Sequence, residues 1–104
     1  MELWKLLDIR PGLTAVIGSG GKTSLLRVLA QELSRRGSVL LATTTHIMRP
    51  DWCPFAETEA ALRAAFARSP IACAGAFTQE GKLTAPDFPG WQTAADFVLV
   101  EADG

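Results

Sequence analysis

Seven consecutive residues from Gly18 to Ser24 read Gly-Ser-Gly-Gly-Lys-Thr-Ser and have the composition of a phosphate-binding loop. A loop that wraps phosphates must turn its backbone N–H groups inward, and glycine adopts the required dihedral angles at little cost. In such a loop Lys22 would contact the terminal phosphates of a nucleotide, and the Thr23 hydroxyl would bind Mg²⁺. We therefore predict a site for ATP or GTP that is formed by Gly18, Ser19, Gly20, Gly21, Lys22, Thr23 and Ser24.

The loop departs in one respect from the common pattern, which has a glycine five positions before the glycine of the Gly-Lys pair. Here that position is Val16, so only a shortened pattern is present. The shortened loop resembles that of nucleotide-binding proteins related to signal recognition GTPases and dethiobiotin synthetase, although Ile17 stands where some of them carry a signature lysine. The alternative interpretation is a flexible glycine turn with a solvated lysine. An apolar run before the glycines and an amphipathic stretch after them favour nucleotide binding.

Two acidic residues follow the apolar run from Phe97 to Val100, in the sequence Glu101-Ala102-Asp103-Gly104. Mg²⁺ beside the β and γ phosphates needs a carboxylate, bound directly or through water. Glu101 comes directly after the run, so we predict that Glu101 and Thr23 hold the metal. Asp103 is predicted to orient a nucleophilic water, which makes Lys22 and Asp103 the candidate catalytic residues. The alternative is that both acids are solvated groups at the end of a strand.

Three threonines and a histidine, Thr43 to His46, follow another apolar run. If that run is a parallel strand, they lie at the same edge of the sheet, where they could contact phosphate, metal-bound water or a substrate. The alternative is that threonine suits a strand end and that His46 is an ordinary loop histidine. Trp52 and Trp91 fall in predicted loops, where they either cover a small core or form a partner surface.

The composition is that of an ordinary globular chain: 104 residues, 48% hydrophobic and 20% charged, with a net charge of -1. A disordered segment would be less apolar, and a nucleic-acid binder would carry a basic excess. Cys53 and Cys73 are too few for a disulfide framework and lack Cys-x-x-Cys spacing, so we predict free thiols. No membrane-spanning stretch or secretory leader is visible in the sequence. We expect a cytoplasmic protein without a nucleic-acid or membrane partner.

The elements that must position these residues alternate between strands and helices. Helices are predicted from Glu2 to Asp8 and from Phe55 to Arg68. A further helix is predicted to begin after the glycine loop and to end at Gly37. Strands are predicted from Thr14 to Ile17, Ser38 to Ala42, Ile71 to Phe77 and Phe97 to Val100, with an irregular connection from Ala85 to Gln92. This alternation implies right-handed βαβ units. We predict an α/β fold like that of phosphate-loop NTPases, with three layers and a mainly parallel sheet.

Three segments taken together, Val16 to Ser24, Thr43 to Met48 and Val98 to Gly104, resemble the YqeC family of accessory proteins of selenium-dependent molybdenum hydroxylases. The resemblance covers nearly the whole chain. It implies a phosphate-loop nucleotide-binding fold and a role in maturing or inserting the labile selenium-containing molybdenum cofactor. The implied partners are a molybdenum hydroxylase and its cofactor-handling proteins, among them a nucleotidyltransferase that handles molybdopterin.

Members of that family continue well beyond the Glu-Ala-Asp-Gly motif. The resemblance therefore predicts that residues 1–104 are the N-terminal part of a single nucleotide-binding domain. We expect an incomplete fold with an exposed sheet edge, which favours association into a homo-oligomer. Activity in isolation is expected to be low.

Three hypotheses of function follow. The first is a Mg²⁺-dependent nucleotide-binding protein with NTPase activity that assists the maturation of a molybdenum hydroxylase. The second is a small-molecule kinase or ligase, in which the threonine segment and His46 position an acceptor. The third is a non-catalytic nucleotide-binding module that docks a partner through Trp52 and Trp91.

Overall fold

The structure, a computed structural model, describes residues 3–17, 22–43, 52–81 and 83–102. These residues form short helices and strands that alternate along the chain. The helices are α1 (Leu3–Leu6), α2 (Lys22–Leu33), α3 (Glu59–Arg68) and a 3₁₀ helix (Trp91–Thr93). The strands are β1 (Gly12–Ile17), β2 (Val39–Thr43), β3 (Phe55–Ala56), β4 (Ile71–Ala74), β5 (Ala76–Phe77), β6 (Leu83–Thr84) and β7 (Phe97–Ala102).

Within the described residues, the main sheet has five parallel strands in the order β1-β7-β2-β4-β3. Strand β7 comes after the other described strands along the chain, yet it lies between β1 and β2 and pairs with both. Strands β5 and β6 form a separate antiparallel pair. The predicted α/β architecture with a mainly parallel sheet is confirmed.

Helices cover both faces of this sheet, which explains why its strands read as continuous apolar runs. Side chains alternate along each strand, so Phe97 and Leu99 of β7 pack with α2, while Val98 and Val100 pack with α3. We call these two sides the α2 face and the α3 face. Helix α2 contributes its whole apolar stripe to the first of them: Leu26, Leu29, Ala30 and Leu33.

Helix α1 packs on α2, and it is shorter than predicted. The backbone N–H of Trp4 donates to Glu32 Oε1 at 2.9 Å, and the Arg36 guanidinium lies 4.4 Å from the centre of the Trp4 ring. The helix ends at Leu6, and Asp8 adopts a left-handed backbone with φ of 55°. That backbone conformation is incompatible with a helix that continues to Asp8.

The predicted helix from Phe55 to Arg68 is wrong at its start. Phe55 and Ala56 form β3, which pairs with Cys73 and Ala74 of β4. The helix begins only at Glu59, because the hydroxyl of Thr58 accepts a hydrogen bond from the backbone N–H of Ala61 at 3.1 Å. Such a cap satisfies one of the free donors at a helix start.

The predicted strand from Ile71 to Phe77 is interrupted at Gly75. Residues before it belong to the main sheet, and residues after it pair with β6 instead. A Cβ at position 75 would lie 2.7 Å from the carbonyl oxygen of Thr84, so the approach of β6 requires glycine here.

A hydrogen-bonded junction joins the amino ends of β1, β2 and β7. The backbone N–H of Ser38 donates to Asp96 Oδ2 at 3.0 Å, and the N–H of Asp96 donates to Ser38 Oγ at 3.0 Å. The carbonyl of Asp96 also accepts from the N–H of Gly12 at 2.9 Å. Asp96 therefore fixes the relative positions at which the three strands start.

Cys53 and Cys73 are free thiols, as predicted. In the part of the chain that the structure describes, no helix has the length and apolar character needed to cross a membrane.

Candidate functional site

The segment with the phosphate-loop composition lies between the end of β1 and the start of α2. Strand β1 ends at Ile17, and α2 begins at Lys22. Lys22, Thr23 and Ser24 form the first turn of α2, where backbone N–H groups have no acceptor within the helix. Those donors and the helix dipole suit an anion. Gly18 to Gly21, together with the side chains of Lys22, Thr23 and Ser24, lie outside the described residues.

Glu101 lies next to the end of β1, on the neighbouring strand. In the sheet register its Cα partners are Val16 of β1 on one side and Thr43 of β2 on the other. Glu101 is only 6% exposed, although its side chain is polar. The carboxyl ends of three adjacent strands thus meet around one buried acid.

The carboxylate of Glu101 is directed to the α2 face. Phe97 and Leu99 of the same strand pack on that face, and alternation along β7 places Glu101 with them. By the same alternation, Thr43 lies on the side of Val39 and Leu41, which also pack there. Helix α2 is the element that follows β1 on this face. The acid and the start of the helix are therefore on the same side of the sheet.

Thr43 is bound directly to the main chain of Glu101. Its hydroxyl donates to the carbonyl oxygen of Glu101 at 3.2 Å, and Thr43 is only 1% exposed. The sequence placed Thr43 at this edge of the sheet, but it did not predict this hydrogen bond. The sequence pattern that could have indicated this bond is a threonine at the end of one apolar strand and an acid at the end of another.

The oxygen ligands near this edge fit Mg²⁺ better than a soft metal. The described residues contain no group of three or more His, Cys, Asp or Glu side chains that could hold a metal ion. A cation beside Glu101 would therefore depend on ligands such as the Thr23 hydroxyl, phosphate oxygens and water. Mg²⁺ is usually held by one or two carboxylates together with substrate phosphates and water.

The other predicted residues at this edge fall outside the described part of the chain. They are Asp103, the second acid, and the segment from Thr44 to Met48 with His46. Their proposed contacts with water, phosphate or substrate stay predictions.

The two loop tryptophans both pack against the core. Trp52 is half-buried against the α2-face cluster, with the Arg27 guanidinium 5.5 Å from its ring centre. Trp91 belongs to the 3₁₀ helix and packs against the α3-face cluster. Of the two interpretations of these residues, cover for the core is the one that the packing supports.

A cleft of about 520 Å³ lies at the opposite edge of the sheet. Its lining includes Pro11, Phe97 and Asp96, which stand at the amino ends of β1 and β7, and two arginines at the end of α2, Arg35 and Arg36. In open parallel sheets, ligands bind outside the carboxyl ends of the strands. The edge with Glu101 is thus the better candidate for a functional site.

Comparison with known proteins connects this arrangement to one family. A family model described as "YqeC protein" matches residues 14–104. The chain belongs to the YqeC family. The region that matches the YqeC model contains the last four residues of β1, the start of α2, Thr43 and Glu101.

One relative of the YqeC chain is the protein named "Uncharacterized protein YqeC" from Escherichia coli (strain K12). The two are 39% identical over 106 residues, which is 91% of this chain and 41% of the relative. The chain therefore spans about two-fifths of the length of the curated relative that it matches. No solved structure matches this YqeC chain.

Proposed function

We propose that the chain binds a nucleoside triphosphate with Mg²⁺ at the carboxyl ends of β1, β7 and β2. The observation that carries the proposal is the register of Glu101 with Val16, because it sets a buried acid beside the strand that leads into Gly18 to Gly21. Phosphates held by that segment would lie next to both the acid and the start of α2. No other described edge combines these features with a glycine-rich sequence.

Each residue of the proposed site has a separate task. Gly18 to Gly21 and the first N–H groups of α2 would hold the phosphates, and Lys22 would neutralise charge on them. Thr23 and Glu101 would hold Mg²⁺, directly or through water, and Mg²⁺ would supply charge neutralisation at the β and γ phosphates. The burial of Glu101 strengthens its attraction to a cation, since the local dielectric constant is lower than in water.

We infer that the bound nucleotide is hydrolysed, with Asp103 accepting a hydrogen bond from the attacking water. In that step the water oxygen bonds to the γ phosphorus, the bond to the bridging oxygen breaks, and the nucleoside diphosphate leaves. Inorganic phosphate forms, and one proton of the water passes to solvent. We also propose a role beside a molybdenum hydroxylase in the cytoplasm, where the client would be the enzyme or a protein that handles its selenium-containing cofactor. The proposed role rests on the family resemblance, whereas the proposed hydrolysis rests on the residues of the candidate site.

Thermal unfolding with ATP or GTP, each with and without Mg²⁺, tests the binding proposal. A ligand present at about 100 times its Kd stabilises the folded state by about 2.7 kcal/mol, which gives a measurable rise in Tm. We expect Lys22→Ala to abolish the rise in Tm. Lys5→Ala is the control, because Lys5 is an exposed lysine of α1 outside the proposed site, and it should leave the rise unchanged. Wild-type chain that shows no rise with either nucleotide would refute the proposal.

Phosphate release separates hydrolysis from the other hypotheses. Release without any added acceptor is expected for an NTPase. Strict dependence on an added small-molecule acceptor would instead indicate a kinase or ligase. Tight nucleotide binding without any turnover would indicate a non-catalytic module.

A further inference from the structure

We draw no further inference here: the strongest candidate, the cleft with Arg35 and Arg36 at the amino ends of β1 and β7, carries nothing, because the Arg36 guanidinium already lies against the Trp4 ring and nothing in the structure shows which group would fill the cleft.

Discussion

The hydroxyl of Thr43 donates a hydrogen bond to the carbonyl oxygen of Glu101 at 3.2 Å, between the last residue of β2 and the buried acid of β7. The two residues are also register partners, so the side-chain bond adds to the backbone pairing of the strands. The bond lies at the carboxyl edge of the sheet and joins the Thr43 hydroxyl to the main chain of Glu101. In the proposed site, Thr43 would act by positioning Glu101.

Thr43→Val removes the hydroxyl and keeps the shape of the side chain. We expect the free energy of unfolding to fall by about 1 kcal/mol, because a buried acceptor loses one donor. Urea denaturation monitored by circular dichroism measures this change. Thr43→Val should also reduce the rise in Tm with nucleotide and Mg²⁺, whereas Thr43→Ser, which retains the hydroxyl, should keep that rise. A serine variant that loses the rise would contradict the positioning role.

Glu101→Gln tests the metal side of the proposed site. The substitution keeps the size of the side chain but removes the charge that would attract Mg²⁺. We expect the rise in Tm with nucleotide and Mg²⁺ to shrink to the rise seen with nucleotide alone. Glu57→Gln alters an exposed acid near β3 and should change neither value. An undiminished Mg²⁺ effect in the Glu101 variant would remove Glu101 from the proposed site.

Gly37→Ala should destabilise the junction at the opposite end of the sheet. A Cβ at position 37 would lie 2.9 Å from the Cβ of Asp96 and would overlap its Oδ2, so Asp96 would have to move away from Ser38. Steric insertion into a packed site costs about 1–3 kcal/mol. Chemical denaturation should show this loss. Ser34→Ala, an exposed hydroxyl in the same turn, should change stability by less than about 0.5 kcal/mol.

Leu29→Ala should cost the most stability among these variants. Leu29 is fully buried on the α2 face, and truncation of a buried leucine to alanine costs about 2–5 kcal/mol. Val28→Ala is the matched control, because its neighbour Val28 is 43% exposed. Equal losses in the two variants, measured by urea denaturation, would mean that α2 does not pack on the sheet as described.

The central strands and the long helix were predictable because each has one strong and consistent pattern. Continuous apolar runs identified β1, β2 and β7, and the stripe of leucines identified α2. The candidate site lies at the ends of these elements, so its approximate location was also predictable. The position of Glu101 followed from the rule that parallel strands place their carboxyl ends at one edge.

The parts that failed depend on contacts between distant residues. Phe55 and Ala56 precede an alanine-rich helix and read as its first turn, but they pair with β4 and the cap at Thr58 starts the helix later. The glycine at position 75 weakens the strand pattern from Ile71 to Phe77, but the close approach of Thr84 that splits the strand there is not visible in the local sequence. The hydrogen bond between Thr43 and Glu101 joins residues 58 positions apart, and strand order had to be known before it could be expected.

The place of β7 has a consequence for how the chain is made. Its residues, 97–102, are the last to leave the ribosome among the described strands, yet β1 and β2 do not pair with each other and meet only through β7. Until β7 has been synthesised, β1 and β2 therefore expose their apolar faces and the edges that later pair with β7. Non-local parallel pairing of this kind folds slowly and exposes intermediates to aggregation. A nascent chain that lacks these residues should therefore depend on chaperones, and deletion of β7 should divide the sheet instead of merely shortening it.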